Sequence, residues 1–217
     1  PTPNLSYTQD YQSGALSFEV ISNGKKLISN CGYFKKKKSK LNQVSKSSAT
    51  QSTLVIDDNS SCKFIKIDKS WLVKKGLRII KKNSVFEKNY WKISASHDGY
   101  LKNYNSIHER EIEFYPDNMT FKGVDRIIKK RTNRNYKFDI RFHVEPNVKL
   151  MKTLDKKTIL IQLNNEGWKF TCDNHDINID NGLYFGNKNL YTENQNIFIS
   201  GISNNQTENI KWQIKKI

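Results

Sequence analysis

Apolar residues in this chain recur at every second position, and that period decides most of what it can fold into. The pattern runs through Leu16, Phe18 and Val20; Phe64, Ile65 and Ile67; Phe138, Ile140, Phe142 and Val144; Trp168 and Phe170; Ile197 and Ile199; and Ile210, Trp212 and Ile214. Period two sends alternate side chains to opposite faces of an extended chain, so each segment is a predicted strand with one buried face. Turn-forming pairs separate them at short intervals: Asn23-Gly24, Asp98-Gly99, Pro116-Asp117-Asn118, Glu166-Gly167 and Asn181-Gly182, several of which suit hairpins. The count is about a dozen strands with no amphipathic helix, which predicts an all-β fold: a large two-sheet antiparallel β-sandwich of supersandwich type.

At 217 residues with 36% apolar content the chain can bury a core, and residues 1–217 read as one continuous domain without repeat or linker. Cys31, Cys62 and Cys172 are odd in number and lack Cys-x-x-Cys spacing, so buried thiols are expected rather than a disulfide framework or zinc knuckle. No apolar run reaches the roughly 20 residues of a membrane helix. The chain begins with Pro1 and carries no signal-like segment, so further sequence is expected upstream.

Thirty-seven Lys and Arg against 21 Asp and Glu give a net charge of +16. Two readings stay open: attraction for polyanions, or a compositional habit that favours lysine. The basic, serine-rich run from Lys35 to Thr50 reads as an exposed, mobile loop. Lys129, Lys130, Arg131 and Arg134 suit a hairpin tip. Neither cluster interleaves aromatics, so no specific nucleic-acid partner is expected.

The densest chemical signal is Ser96-His97-Asp98-Gly99-Tyr100 followed by Ile107-His108-Glu109-Arg110. His, Tyr and Arg together can move protons and neutralise an anion, which makes His97, Tyr100, His108 and Arg110 catalytic candidates. A structural reading stands beside this one, because Asp98-Gly99 is a good turn and His108 and Arg110 share a strand face by period two. His143 closes the strand through Phe142 and Val144, and His175 sits in a polar loop. A Gly-rich phosphate loop, a His-x-x-x-His helix and a Gly-x-Ser-x-Gly elbow are all missing, which removes the common nucleotide, metalloprotease and hydrolase readings.

Taken in order, seven stretches resemble the β domain of the heparinase II/III-like family. They are Gly14 to Glu19, Leu27 to Gly32, Gln51 to Asp57, His97 to Tyr100, His108 to Arg110, Gly123 to Arg126, and Arg141 to Pro146. The resemblance implies a helical toroid domain upstream of the sandwich, with an acidic polysaccharide in the cleft between them. It further implies β-elimination at a uronic acid and a periplasmic or cell-envelope location, with cytoplasm left open. Arg141 and His143 then become candidate substrate-binding residues.

The departures from the family pattern carry equal weight. Members typically hold a His-x-His-x-Asp pattern before the Phe of the first segment, often an Asp at the position of Asn30, and a His at that of Gln51. Those residues supply a catalytic His and a structural zinc. The counterparts here are Asp10, Gln12 and Gly14, then Asn30 and Gln51. Neutral amides bind Zn²⁺ poorly, so the expectation is no metal and no cofactor, with Gln12, Asn30 and Gln51 as a hydrogen-bonding, substrate-binding cluster. Either the branch uses other groups for its chemistry, or it is a non-catalytic glycan-binding or structural sandwich.

Overall fold

A computed structural model describes residues 2–131, 134–186 and 190–217. Two antiparallel sheets dominate it. The larger contains β6 (Ile79–Glu87), β7 (Tyr90–His97), β8 (Ser106–Tyr115), β9 (Thr120–Lys129), β11 (Lys149–Lys152), β12 (Thr158–Leu163), β13 (Glu166–Cys172) and β16 (Thr207–Lys216), in the order β11-β12-β13-β16-β9-β8-β7-β6. The smaller contains β3 (Leu54–Ile56), β10 (Tyr136–His143), β14 (Ile177–Tyr184) and β15 (Thr192–Ser203), in the order β14-β15-β10-β3. Two hairpins, β1 (Val20–Ser22) with β2 (Lys25–Ile28) and β4 (Lys63–Ile67) with β5 (Ser70–Lys75), flank them. The helices are single turns, α1 (Lys40–Val44) and α2 (Leu101–Tyr104).

The predicted sandwich is what forms, with sixteen strands among the described residues rather than about a dozen. The excess comes from elements of three or four residues, such as β1, β2, β3 and β11, too short to show a period. Asn23-Gly24 makes the β1–β2 turn with both residues at positive φ, 46° and 71°, as a two-residue hairpin of matching twist requires. Glu166-Gly167 and Asn181-Gly182 instead lie inside β13 and β14. Neighbouring Asn164, with φ 51°, lies between β12 and β13.

The alternating residues meet between the sheets. Phe142 of β10 packs edge-on against Trp212 of β16 at 4.9 Å and tilted against Phe170 of β13 at 4.8 Å, and Phe18 stacks flat on Trp212 at 5.5 Å. Trp168, Trp212, Phe138 and Phe170 are all buried. On the inner face of β6 and β7 the side chains Phe86, Trp91 and Ile93 are exposed, whereas His97 at the far end of β7 is buried.

Two loop expectations are corrected. The Lys35–Thr50 run is not an exposed loop beyond its first residues, since Asn42, Ser45, Lys46, Ser48 and Thr50 are buried. Lys46 donates to the carbonyls of Gln9 and Tyr11 and lies 4.9 Å from the centre of the Tyr33 ring. Burial lowers its pKa to about 8, opposed in part by Asp10. The serine hydroxyls serve the backbone: Ser48 donates to the carbonyl of Ser13 at 2.7 Å, and Ser45 to that of Asn42 at 2.9 Å. Likewise Lys129, Lys130, Arg131 and Arg134 do not mark a hairpin tip. β9 pairs with β8 and β16 in the larger sheet and β10 with β3 and β15 in the smaller, so the two strands are not hairpin partners. Lys129 is buried and donates to the carbonyl of Ser203 at 3.0 Å.

Gly123 faces Trp212 across the β9–β16 pair, and a Cβ there would overlap the indole ring. Gly123→Ala should therefore cost ~1–3 kcal/mol through overpacking, read as a lower denaturation midpoint in urea. Gly24→Ser meets no atom but keeps a φ of 71°, so its cost should be ~1 kcal/mol and come from backbone strain rather than overpacking.

Candidate functional site

Asp125 of β9 is fully buried and accepts four hydrogen bonds. His108 Nε2 lies 2.6 Å and Arg110 Nε 2.8 Å from Oδ1; Arg110 Nη2 lies 3.1 Å and Trp212 Nε1 2.8 Å from Oδ2. Strand register builds the group, since Arg110 sits opposite Asp125 on β8 and β9, and His97 opposite His108 on β7 and β8. Burial alone would raise the carboxyl pKa, but the Arg110 guanidinium and the His108 hydrogen bond outweigh it and hold Asp125 well below the usual carboxylate range.

The two histidines extend this network. His108 Nδ1 lies 3.2 Å from His97 Nε2, and His97 Nδ1 accepts from the Gly99 backbone N–H at 3.0 Å. Gly99 can only donate, which places the His97 proton on Nε2 and the His108 proton on Nε2, aimed at Asp125. Burial lowers the pKa of both; for His97 the neighbouring His108 and Arg110 lower it further, and for His108 Asp125 opposes the shift in part. Both rings are thus neutral near pH 7. Tyr100 donates to the Leu54 carbonyl at 2.7 Å, and burial raises its pKa far above the ordinary value. All four catalytic candidates are buried. They come together, but beneath the surface.

Arg110 links this network to the wall above it. Its Nη1 donates to the carbonyls of Leu16 at 2.9 Å and Ser52 at 2.6 Å. Leu16 has a φ of 57°, a left-handed turn that places Leu16, Ser17 and Phe18 along one side of a groove of about 590 Å³. Lys82, Asn83 and Ser84 of β6 and Ile93, Ser94 and Ala95 of β7 form the other side, with Arg110 and Ile112 from β8.

The remaining candidates divide between two places. Gln51 Nε2 donates to Gln12 Oε1 at 3.0 Å, while Asn30 Oδ1 accepts from the backbone N–H of Ser52 at 2.9 Å. Gln12 and Gln51 are therefore paired, and Asn30 holds the adjacent backbone. Among the described residues no group of three or more His, Cys, Asp and Glu side chains is placed to hold a metal. The donor set does not fit Zn²⁺: the amides are neutral and Gly14 has no side chain. Arg141 lies on the outer face of the smaller sheet, where it donates to Asn196 at 3.1 Å and neighbours Asp139 and Asp180. His143 is buried beside Cys31, with Nδ1 3.1 Å from Sγ and Nε2 2.9 Å from the Ala49 carbonyl. Burial raises the Cys31 pKa to about 12 and lowers that of His143 to about 4, so a neutral thiol donates to a neutral ring.

Sequence reasoning missed Asp125 and Lys82. Asp125 carried a usable signal: it shares its strand face with Gly123 and Ile127, and a carboxylate at a core position demands a cationic partner. Lys82 carried none, being one lysine among many.

The pKa of every histidine, His175 included, is lowered chiefly by burial. A histidine depressed in the native state contributes stability that is full above its unfolded value near 6.5 and lost as pH falls. The thermal midpoint should therefore drop steeply between about pH 6.5 and pH 4, before Asp125 titrates. His143 alone accounts for ~3 kcal/mol of that loss, and thermal unfolding of His143→Gln should show a shallower slope.

The Heparinase II/III-like, C-terminal family model matches residues 1–213. No curated protein matches the chain. Among solved structures, heparan sulfate lyase HepC from Pedobacter heparinus superposes with a TM-score of 0.76 at 14% identity, over 94% of this chain and 30% of that one. A heparinase III gene product superposes with a TM-score of 0.73 at 13% identity, over 95% of this chain and 30% of that one. The chain thus spans under a third of the length of either. Sheet architecture and the family match agree: this chain belongs to the heparinase II/III-like family and is a polysaccharide lyase-like β domain of its C-terminal type.

Proposed function

We propose that the domain serves a polysaccharide lyase that cleaves an acidic, uronic acid-containing glycan by β-elimination, and that the groove beside Arg110 forms its share of the glycan cleft. The observation that carries this reading is the groove itself: a wall held by a preorganised buried ion network, facing a lysine with no ion-pair partner among the described residues.

β-Elimination removes the proton at C5, forms the C4=C5 double bond, breaks the C4–O bond and protonates the leaving oxygen. The carboxylate at C5 must be neutralised for that proton to become acidic. Lys82 suits that role on charge and position, because Arg110 is already committed to Asp125. His97, His108 and Tyr100 act in this reading as positioning residues. Their hydrogen bonds fix Asp125 and the backbone near Leu54, Asp125 fixes Arg110, and Arg110 fixes the Leu16–Phe18 wall. The proton-transfer groups then come from the helical toroid domain expected upstream, with the glycan between the two domains. The heparan sulfate lyases that share the fold make a sulfated uronate polymer the first substrate to try.

A second reading, a glycan-binding domain without catalysis, is favoured by one specific observation. Gln12 and Gln51 occupy the positions of the family's histidines and satisfy each other.

Incubating the full-length parent with heparan sulfate, heparin and alginate while following ultraviolet absorbance of the unsaturated uronate separates the two. The lyase reading expects product. It also expects Lys82→Ala to lower kcat about a hundredfold, because the carboxylate it neutralises gains charge as C5 loses its proton, and to raise KM at low salt, the KM effect fading as ionic strength screens the contact. Binding without product from any polymer would leave the binding domain.

A further inference from the structure

Aromatic rings cross the inner face of the larger sheet as a ladder. Phe86 of β6, Trp91 of β7, Phe114 of β8 and Phe121 of β9 follow one another with centroids 6.3, 5.3 and 4.3 Å apart. One end is anchored, with Phe121 6.5 Å from the buried Trp168. The other end is bare: Phe86 is 67% exposed, Trp91 46% and Ile93 46%. Cross-strand aromatic pairs stabilise a sheet, but that role does not need these faces in water. A contiguous exposed apolar patch marks a surface built for a partner.

The patch is continuous with the groove. Phe18, Ile93 and Ile112 line both the groove and the hollow beside the ladder. Along β6, Lys82, Asn83 and Ser84 precede Phe86. Four residues of extended strand set Lys82 and Phe86 about 13 Å apart, within reach of a short oligosaccharide. Cationic and hydrogen-bonding groups thus lie at one end of a track and bare aromatic rings at the other.

We propose that Trp91 and Phe86 form a sugar-stacking subsite, on which one pyranose ring of an acidic glycan lies while an acid group further along the chain meets Lys82. The C–H face of a pyranose is apolar and weakly positive, and the face of an indole is negative, so the two attract beyond simple burial. Charge selects this occupant over a second copy of the chain, which would bring another +16 to the contact. The inference rests on the reading that the substrate is an acidic glycan, and adds to it a contact that salt does not screen.

The test is calorimetric titration of the 217-residue chain with size-defined heparin and alginate oligosaccharides, at low and at high salt, with circular dichroism and thermal unfolding as folding controls. Trp91→Ala and Phe86→Ala should each weaken binding about tenfold at both salt concentrations, while Lys82→Ala should weaken it at low salt only. Phe86 is mostly in water, so its variant keeps the test sound if Trp91→Ala fails to fold. Unchanged affinity in both aromatic variants, with the Lys82 effect intact, overturns the subsite and leaves the acidic-glycan reading standing. Failure of the unmodified chain to bind any oligosaccharide also overturns it, and product formation by the parent then decides separately whether the lyase reading survives. A dimer that becomes a monomer on Trp91→Ala assigns the patch to a second copy instead, and Trp91 fluorescence shielded from an added quencher in the glycan-free full-length parent, but not in the 217-residue chain, assigns it to the upstream toroid domain and overturns the subsite.

Discussion

A carboxylate with no access to water sits at the centre of this sandwich, and much of the surrounding structure answers the demand it makes. Asp125 would be intolerable in an apolar core on its own. Four donors converge on it from β8 and β16, so its charge is compensated and its lone pairs are used. Each donor is fixed in turn: Arg110 by the carbonyls of Leu16 and Ser52, His108 by His97, and His97 by the amide of Gly99. One buried charge therefore specifies the position of the segment before β1, the loop before β3 and the turn before α2. A hydrophobic replacement of equal volume can match such a network in stability. It cannot impose the same connections on three separate loops.

The unequal sheets supply the second constraint. The larger sheet has eight strands and the smaller four, and on the inner face of β6 and β7 Phe86, Trp91 and Ile93 stay exposed beside Lys82 and Ser84. The groove lies where the Leu16–Phe18 wall meets this exposed face. Its shape follows from two causes, the exposed inner face of β6 and β7 and the Arg110 tether, and so a groove opens at the boundary of the packed region. The same Phe18 that stacks on Trp212 in the interior also lines the groove, so packing and site geometry are coupled through one ring.

Strand identity was legible in the sequence because burial imposes a period of two, and Phe138, Ile140 and Phe142 or Ile210, Trp212 and Ile214 could hardly be read otherwise. The Lys35–Thr50 run was not legible, because its burial rests on hydroxyls and one ammonium bonding to backbone carbonyls. Ser and Lys are ordinarily surface residues, and no local pattern distinguishes the exceptions. The candidate histidines were found by their clustering, but clustering gave no depth. Depth follows from cross-strand register, which aligns His97 with His108 and Arg110 with Asp125, and from the Leu16 and Ser52 segments and Tyr100 that pack on them. Both depend on contacts distant in sequence.

The direction of the hydrogen-bond chain sets what these histidines can do. Each ring donates from Nε2 and accepts at Nδ1, so proton density points from Gly99 toward Asp125 along the whole path. A general base would need a free ring nitrogen facing substrate, and neither ring has one. Charging either ring would turn an acceptor nitrogen into a second donor, and the Gly99 amide or the His97 N–H would then face another N–H. The network thus opposes protonation by geometry as well as by desolvation. The same geometry that disqualifies His97 and His108 as surface acid–base groups makes them effective supports. A neutral relay holds the Asp125–Arg110 pair without adding positive charge beneath the groove, so the one uncompensated cation among the groove's described lining residues is Lys82.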